Sequence, residues 1–265
     1  SPLFITAFLW WINPWRPRWV FSPQSFNELF GFGSKLFLSG LLNIVFQNIY
    51  IVVIAKLFTS SITGYYFFAT KIRDIILQQL SYSIQKVTYP ALASIQDDDL
   101  RLKAGYRKVI QATTYLIFPA MIFLAVLSQP LFSLFLKPHW LAGVPYLQLL
   151  CVAGLMFPLH VVNLNILQVK GRSDLFLYLE IFKKLLIVVV LFISVRFGIW
   201  GLLAGQIATS FLAYLPNSYF AMRLIGYPPG EQIKDVLPAL FSALSAGALM
   251  MFIDKIFASR EPSIM

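Results

Sequence analysis

The feature that most constrains this chain is a series of long, uninterrupted apolar stretches. The clearest, residues 185–193, reads Leu-Leu-Ile-Val-Val-Val-Leu-Phe-Ile and has no polar position. Strands of an outer-membrane barrel would alternate polar and apolar side chains, and this stretch does not. A helix needs about 20 mostly apolar residues to cross a bilayer. Segments of that length cover residues 35–57, 64–92, 108–128, 143–168, 176–196, 199–224 and 235–257.

The composition agrees with a membrane protein. Apolar residues make up 58% of the 265 positions and charged residues only 12%, whereas soluble domains are about 45–50% apolar and about 25% charged. The same values exclude a disordered chain, and the single cysteine, Cys151, excludes a disulfide scaffold. We therefore predict an all-α, polytopic transmembrane helix bundle with about seven spanning helices.

The first part of the chain and the net charge help to orient the bundle. Residues 1–12 are largely apolar but too short to span a bilayer, so we interpret them as the truncated remnant of a preceding transmembrane helix. Residues 13–34 are predicted to be a cytoplasmic linker, because basic residues concentrate on that side of the membrane. The net charge of +10 would suggest nucleic acid in a soluble protein, but here the cations lie mostly between apolar segments. We therefore predict no nucleic-acid partner.

Charges inside the predicted helices are the strongest functional signal, since they are costly in a bilayer and usually serve a function. In segment 64–92, helical spacing places Lys71, Asp74 and Gln78 on one face and points Arg73 roughly the opposite way. Lys71 and Asp74 are three residues apart and can form an ion pair. This stripe either lines an aqueous cavity or holds helices together, and the sequence leaves both interpretations open.

A second group of charges lies in segment 176–196. Glu180 can reach either Lys183 or Lys184, so one carboxylate faces two ammonium groups. The remaining positive charge suits an anion such as a phosphate. The alternative is that the lysines extend along the helix to the cytoplasmic interface. That alternative is favoured for Lys184, and Lys183 is therefore the stronger candidate for anion binding.

Amide side chains are a third kind of candidate. Asn43 and Gln47 share a helical face with Ser39 and Tyr50 in segment 35–57. Amides hold membrane helices together through hydrogen bonds, and they also bind sugar hydroxyls. Spacing does not separate these two roles.

No catalytic signature accompanies these residues. The chain contains no GxSxG, HExxH or Walker sequence. Its two histidines, His139 and His160, are too few for a His-based metal site, and His160 is interpreted as a hydrogen-bonded interior residue. We predict no enzyme activity, no metal site and no cofactor. The residues point to a transporter of a polar substrate, with an anion favoured by the surplus of cations.

A family resemblance rests on two long stretches of sequence. One is residues 65–111, YYFFATKIRDIILQQLSYSIQKVTYPALASIQDDDLRLKAGYRKVIQ, and the other is residues 144–184, VPYLQLLCVAGLMFPLHVVNLNILQVKGRSDLFLYLEIFKK. They resemble the Wzx-type lipopolysaccharide and polysaccharide flippases of the multidrug/oligosaccharidyl-lipid/polysaccharide exporter superfamily. The blocks at 85–92 and 165–174 are typical of the colanic-acid-exporter branch.

The resemblance implies a protein of two six-helix lobes, sometimes with two extra helices. Residues 35–224 would form the C-terminal lobe, and residues 225–265 an additional transmembrane helix with a truncated tail. Such proteins flip an undecaprenyl-pyrophosphate-linked oligosaccharide across the bacterial inner membrane by alternating access. The implied partners are this substrate, membrane lipids, the N-terminal lobe of the same protein and other glycan assembly proteins.

The resemblance also implies that cationic and polar side chains line the cavity between the lobes. The candidates are Lys71, Arg73, Lys183 and Lys184, with Asp74 and Glu180 as pairing or ion-coupling groups.

Two alternatives remain open. A drug/cation antiporter of the same superfamily would require an acidic cavity, whereas the intramembrane charges here include more cations than anions. A membrane-embedded glycan polymerase or ligase would carry a large extracytoplasmic loop with Arg or His residues. The longest loop on that side, at about residues 129–142, offers only Lys137 and His139 as cationic or imidazole groups.

Overall fold

A computed structural model describes the backbone of residues 2–12 and 21–258, and the side chains of residues 4–6, 8–12 and 21–253. Within these ranges the fold is entirely helical, with no strand, so the predicted all-α class is confirmed. Short 3₁₀ helices at Pro138–Gly143 and Val195–Phe197 each lead directly into a following α-helix. The α-helices are α1 Pro2–Ile12, α2 Pro23–Gln47, α3 Ile49–Leu57, α4 Ser60–Ala93, α5 Asp99–Val126, α6 Ser128–Phe135, α7 Val144–Gly154, α8 Phe157–Val169, α9 Ser173–Ser194, α10 Gly198–Ile225 and α11 Pro229–Ala258.

Five helical stretches of the described residues are long and apolar enough to cross a membrane. They are Pro23–Leu57, Asp99–Val126, Pro138–Val169, Ser173–Ile225 and Pro229–Ile253. The fourth contains two helices, α9 and α10. Helix α4 is longer than either, at 34 residues, but it carries Lys71, Arg73 and Asp74 near its middle and is not among the apolar stretches. Each of the seven predicted segments thus corresponds to a helix or a pair of helices, and the predicted multi-pass arrangement is confirmed.

The start of α2 differs from the prediction. We placed the first spanning segment at residue 35, where a long apolar run begins, but the helix begins at Pro23. The hydroxyl of Ser22 accepts a hydrogen bond from the backbone N–H of Ser25 at 3.3 Å, and Pro23 occupies the first turn. Both features are typical helix starts. Residues 23–34 of the predicted linker are therefore helical, and residues 13–20 lie outside the described residues.

Two of the predicted spanning segments are interrupted. Segment 35–57 breaks at Asn48, between α2 and α3. Segment 143–168 breaks at residues 155–156, directly before Pro158 in the first turn of α8. Proline lacks a backbone N–H, so a helix start is the position where it costs least.

Two clusters of buried apolar side chains form the core. One involves α5, α8, α10 and α11 and includes Tyr106, Ile166 and Tyr227. The other involves α3, α4, α7 and α10 and includes Ile54 and Leu147. Between helices in lipid, close packing and hydrogen bonds stabilise association more than the hydrophobic effect does. The fit between these buried side chains therefore determines which helices pack together.

A partly buried polar network attaches α11 to the bundle. Arg107 on α5 donates two hydrogen bonds to Asp235, each of 2.7 Å, and the hydroxyl of Tyr227 donates another, also of 2.7 Å. One turn before Asp235, the side-chain oxygen of Gln232 accepts a hydrogen bond of 3.0 Å from Asn163 on α8. The amides and ionised groups thus satisfy one another, as buried polar groups require.

Candidate functional site

A cavity of about 560 Å³ lies inside the helix bundle. Its wall is built from α2, α3, α4, α7, α8, α9 and α10, and none of its lining residues comes from α5 or α11. The contributions of the long helices α4, α9 and α10 fall at residues 66–78, 180–187 and 206–213. These positions are near the middle of α9 and α10, so the cavity lies at mid-depth of the bundle.

The structure brings eight of the nine predicted site residues to this cavity. Lys71 is the exception, because it is absent from the lining and exposed on another face of α4. The eight that line the cavity are Asn43, Gln47, Arg73, Asp74, Gln78, Glu180, Lys183 and Lys184.

The ion pair on α4 differs from the predicted one. Arg73 donates from Nε and Nη2 to Oδ1 of Asp74, at 2.9 and 2.7 Å, so the predicted pairing of Lys71 with Asp74 is wrong. The ammonium of Lys71 instead lies 5.5 Å from the ring centre of Phe67. Helical spacing gives the direction of the Cα–Cβ bond, and a long side chain can carry its charged end well away from it. The guanidinium of Arg73 turns toward Asp74, the next residue in the chain. Helical spacing alone does not predict this contact.

Glu180 and two lysines form a second charged group on α9. The Glu180 side chain is only 1% exposed, and it forms an ion pair with Lys183 on the next turn. The Nζ of Lys184 lies 3.3 Å from the other carboxylate oxygen, Oε2. Lys184 also donates a hydrogen bond of 2.5 Å to Oδ1 of Asn43 on α2, and its Nζ lies 5.8 Å from the ring centre of Phe46.

The two lysines do not extend to the membrane interface in this structure. Their side chains are 13% and 12% exposed, and they occupy the middle of α9, which spans Ser173–Ser194. At a rise of about 1.5 Å per residue, each lies roughly 15 Å from the ends of the helix. The interpretation favoured for Lys184 from sequence is therefore wrong, because its ammonium group binds side chains inside the bundle.

Sequence reasoning missed most of the polar wall on α10. Gln206 donates a hydrogen bond to the hydroxyl of Tyr66 on α4. Ser210 joins α7, since its hydroxyl donates to the carbonyl of Ala153 at 2.8 Å. Gln206, Thr209 and Ser210 are spaced i, i+3 and i+4 in an otherwise apolar stretch. That spacing is the signal that could have found them.

His160 is a hydrogen-bonded interior residue, as predicted. One ring nitrogen, Nε2, lies 2.9 Å from the carbonyl oxygen of Ser210 and donates to it. The other, Nδ1, lies 2.8 Å from the amide nitrogen of Asn217 and accepts from it. These partners fix a neutral imidazole that bridges α8 and α10 at the cavity wall.

The charges of the cavity favour an anion. The lining contains three basic side chains and two carboxylates, namely Arg73, Lys183, Lys184, Asp74 and Glu180. One positive charge is therefore in surplus in the lining of the cavity. Amide and hydroxyl groups on α2, α4 and α10 add neutral hydrogen-bonding partners. Within the described ranges, no three His, Cys, Asp or Glu side chains come together to hold a metal ion.

These features define a multi-pass membrane protein whose helices line a cavity that contains a cluster of charged side chains with one surplus positive charge. Residues 1–145, more than half of the chain, match the family described as "Polysaccharide biosynthesis protein". The chain belongs to this family.

Curated relatives agree with this assignment. The chain is 29% identical over 214 residues to the lipopolysaccharide biosynthesis protein WzxC of Escherichia coli K12, a match covering 78% of this chain and 42% of the relative. It is 27% identical to the teichuronic acid biosynthesis protein TuaB of Bacillus subtilis 168, covering 69% of this chain and 38% of the relative. It is 26% identical to the succinoglycan biosynthesis transport protein ExoT of Rhizobium meliloti 1021, covering 60% and 33%.

These matches confirm the family resemblance drawn from residues 65–111 and 144–184. The chain spans less than half the length of these three relatives. No solved structure gives a significant match to the chain.

Proposed function

We propose that this chain is part of a transporter that moves a lipid-linked oligosaccharide across a bacterial inner membrane, and that the cavity receives the anionic end of that substrate. The observation that carries the proposal is the surplus positive charge at mid-depth, on Arg73, Lys183 and Lys184. A polyprenyl pyrophosphate carrier presents anionic oxygens next to its first sugar. Charge-assisted hydrogen bonds to such oxygens are the strong ones.

The neutral part of the wall suits the sugar. Gln47, Gln78 and Gln206 present amides, and Thr209 and Ser210 present hydroxyls, from three helices around the cavity. Small-molecule sites range over about 300–1,000 Å³, and the 560 Å³ of this cavity falls within that range. The volume suits a pyrophosphate group with one or two sugars rather than a long glycan chain. The remainder of a longer substrate would extend outside this part of the protein.

Transport without a chemical step fits the cavity better than catalysis does. A general base is usually an imidazole or carboxylate group that is not already held by a full set of hydrogen bonds or by an ion pair. Both ring nitrogens of His160 are engaged by Ser210 and Asn217, and Asp74 and Glu180 are paired with cations. The surplus of cations likewise disfavours a cation antiporter, which would require the opposite sign of charge.

Deletion of the gene for the full-length protein tests the proposal. We expect undecaprenyl-pyrophosphate-linked oligosaccharide to accumulate on the cytoplasmic leaflet, with loss of surface polysaccharide. The wild-type gene should restore export, whereas a variant carrying Arg73→Gln, Lys183→Met and Lys184→Met should not. A variant with Lys71→Gln is the matched control, since Lys71 lies outside the cavity. Accumulation on the periplasmic leaflet would contradict the proposal and favour a polymerase or ligase step.

A further inference from the structure

The two neighbouring lysines of the cavity hold different partners. Lys183 forms the closer ion pair with Glu180, a side chain that is 1% exposed. Removing one member of such a buried pair leaves an uncompensated charge, which is strongly destabilising. We therefore expect Lys183 to stay paired with Glu180, and the two side chains together carry no net charge.

Lys184 forms a weaker ion pair with Glu180 than Lys183 does. Its Nζ lies 3.3 Å from Oε2 of Glu180, yet this oxygen accepts no hydrogen bond within the part of the chain that the structure describes. The hydrogen bond of Lys184 goes instead to a neutral acceptor, the amide oxygen of Asn43, at 2.5 Å. The surplus charge of this group therefore lies on Lys184.

We propose that Lys184 is the residue that binds the oxyanion of the substrate, while Lys183 stays paired with Glu180. The inference rests on the proposed function and reverses the sequence-based preference for Lys183. An incoming oxyanion replaces the amide oxygen of Asn43 on the ammonium group of Lys184. That exchange substitutes a charged acceptor for a neutral one, which strengthens the hydrogen bond. Glu180 keeps its counter-ion throughout, so no buried carboxylate is left unpaired.

An oxyanion can come from either end of a lipid-linked glycan. A pyrophosphate group of the carrier and the carboxylate of an acidic sugar would both present oxygens to Lys184. Two soluble probes separate these sources, namely geranyl pyrophosphate and glucuronic acid. Glucose serves as the neutral control.

Calorimetric titration of the purified full-length protein in detergent tests the assignment. We expect Lys184→Met to weaken binding of the recognised probe by about 10- to 100-fold. The double variant Glu180→Gln with Lys183→Met removes the neutral pair, and it should weaken binding less than Lys184→Met does. Glu231→Gln is the matched control, because Glu231 pairs with Lys103 outside the cavity. Thermal unfolding of each variant checks its fold. If Lys184→Met fails to fold, Lys184→Gln keeps a donor for Asn43 and should show the same loss, and Lys184→Arg should restore binding.

The possible outcomes are distinguishable. A larger loss of binding in Lys184→Met than in the double variant supports the assignment, and the probe that binds identifies the source of the oxyanion. Wild-type affinity in Lys184→Met, or an equal or larger loss in the double variant, overturns the assignment and leaves anion binding by the cavity intact. If the folded wild-type protein binds neither probe, the proposed anion recognition fails and this inference fails with it.

Discussion

The guanidinium of Arg107 forms two hydrogen bonds of 2.7 Å with the carboxylate of Asp235, and these bonds join α5 to α11. Asp235 is 9% exposed, whereas Arg107 is 44% exposed. The carboxylate also accepts hydrogen bonds from Tyr227 at 2.7 Å and from Gln111 at 3.3 Å. It is thus the centre of the contact that attaches α11.

We expect Asp235→Asn to destabilise the protein without altering the cavity. The loss should be about 2 kcal/mol, since hydrogen bonds to a charged group are removed but water screens the exposed side of Arg107. This corresponds to a melting temperature lower by roughly 4–8 °C in detergent. Glu28→Gln on the exposed face of α2 is the control and should melt like the wild type. An unchanged melting temperature in Asp235→Asn would show that α11 is held by apolar packing alone.

Arg73→Gln should reduce glycan export more than Lys71→Gln does. Both changes remove one cation from α4, but only Arg73 lines the cavity. We expect at least a tenfold difference in surface polysaccharide, about the effect of one charge-assisted hydrogen bond. Complementation of a deletion strain, with membrane levels matched by immunoblot, measures it. Equal export by the two variants would argue against a role for the α4 side of the cavity.

Asp74→Asn should lower export while the protein stays in the membrane. The change leaves the guanidinium of Arg73 without its counter-ion, so the cavity gains a second surplus positive charge. We expect a tighter hold on the anion and slower release, with about a tenfold loss of export rate. Binding and export are measured on the same variant. Normal export would show that the Arg73–Asp74 pair is structural only.

Gly201→Ala should disrupt the junction between α9 and α10. A Cβ atom at Gly201 would clash with the carbonyl oxygen of Ser194 and would lie 2.5 Å from Cβ of Phe197, closer than such atoms approach. We expect a loss of about 1–3 kcal/mol from overpacking, seen as lower folded yield. Gly40→Ala is the matched control, because a Cβ there would meet no atom within 4 Å. Similar yields from both variants would show that the junction can open at little cost.

The charged residues that line the cavity were predictable, and so were the contacts of Glu180 with Lys183 and Lys184. The partners of Arg73 and the hydrogen bond of Lys184 were not. Charges and amides inside apolar segments are conspicuous, which is why Asn43, Asp74 and Glu180 could be named from sequence. Helical spacing cannot follow a flexible side chain to its end, so the pairing of Arg73 with Asp74 was missed. The hydrogen bond between Lys184 and Asn43 joins residues 141 positions apart, and no local pattern contains it.

Helix boundaries were predicted less well than helix identity. Apolar runs indicate which residues are buried in lipid, whereas caps determine where a helix begins. The Ser22–Pro23 cap therefore extended α2 beyond its apolar run. The break before Pro158 divides a predicted span into two helices, because proline is better tolerated in the first turn of a helix than in its interior.

The cavity wall takes no residue from α5 or α11, while those two helices share the Arg107–Asp235 contact. The side chains that line the cavity therefore differ from those that attach α11, although α8 contributes residues to both. Under the proposed function, substitutions that adapt Asn43, Gln78 or Gln206 to a new sugar would leave the contact between Arg107 and Asp235 untouched. Proteins built this way can change the lining of the cavity while they keep the same packing of α5 against α11.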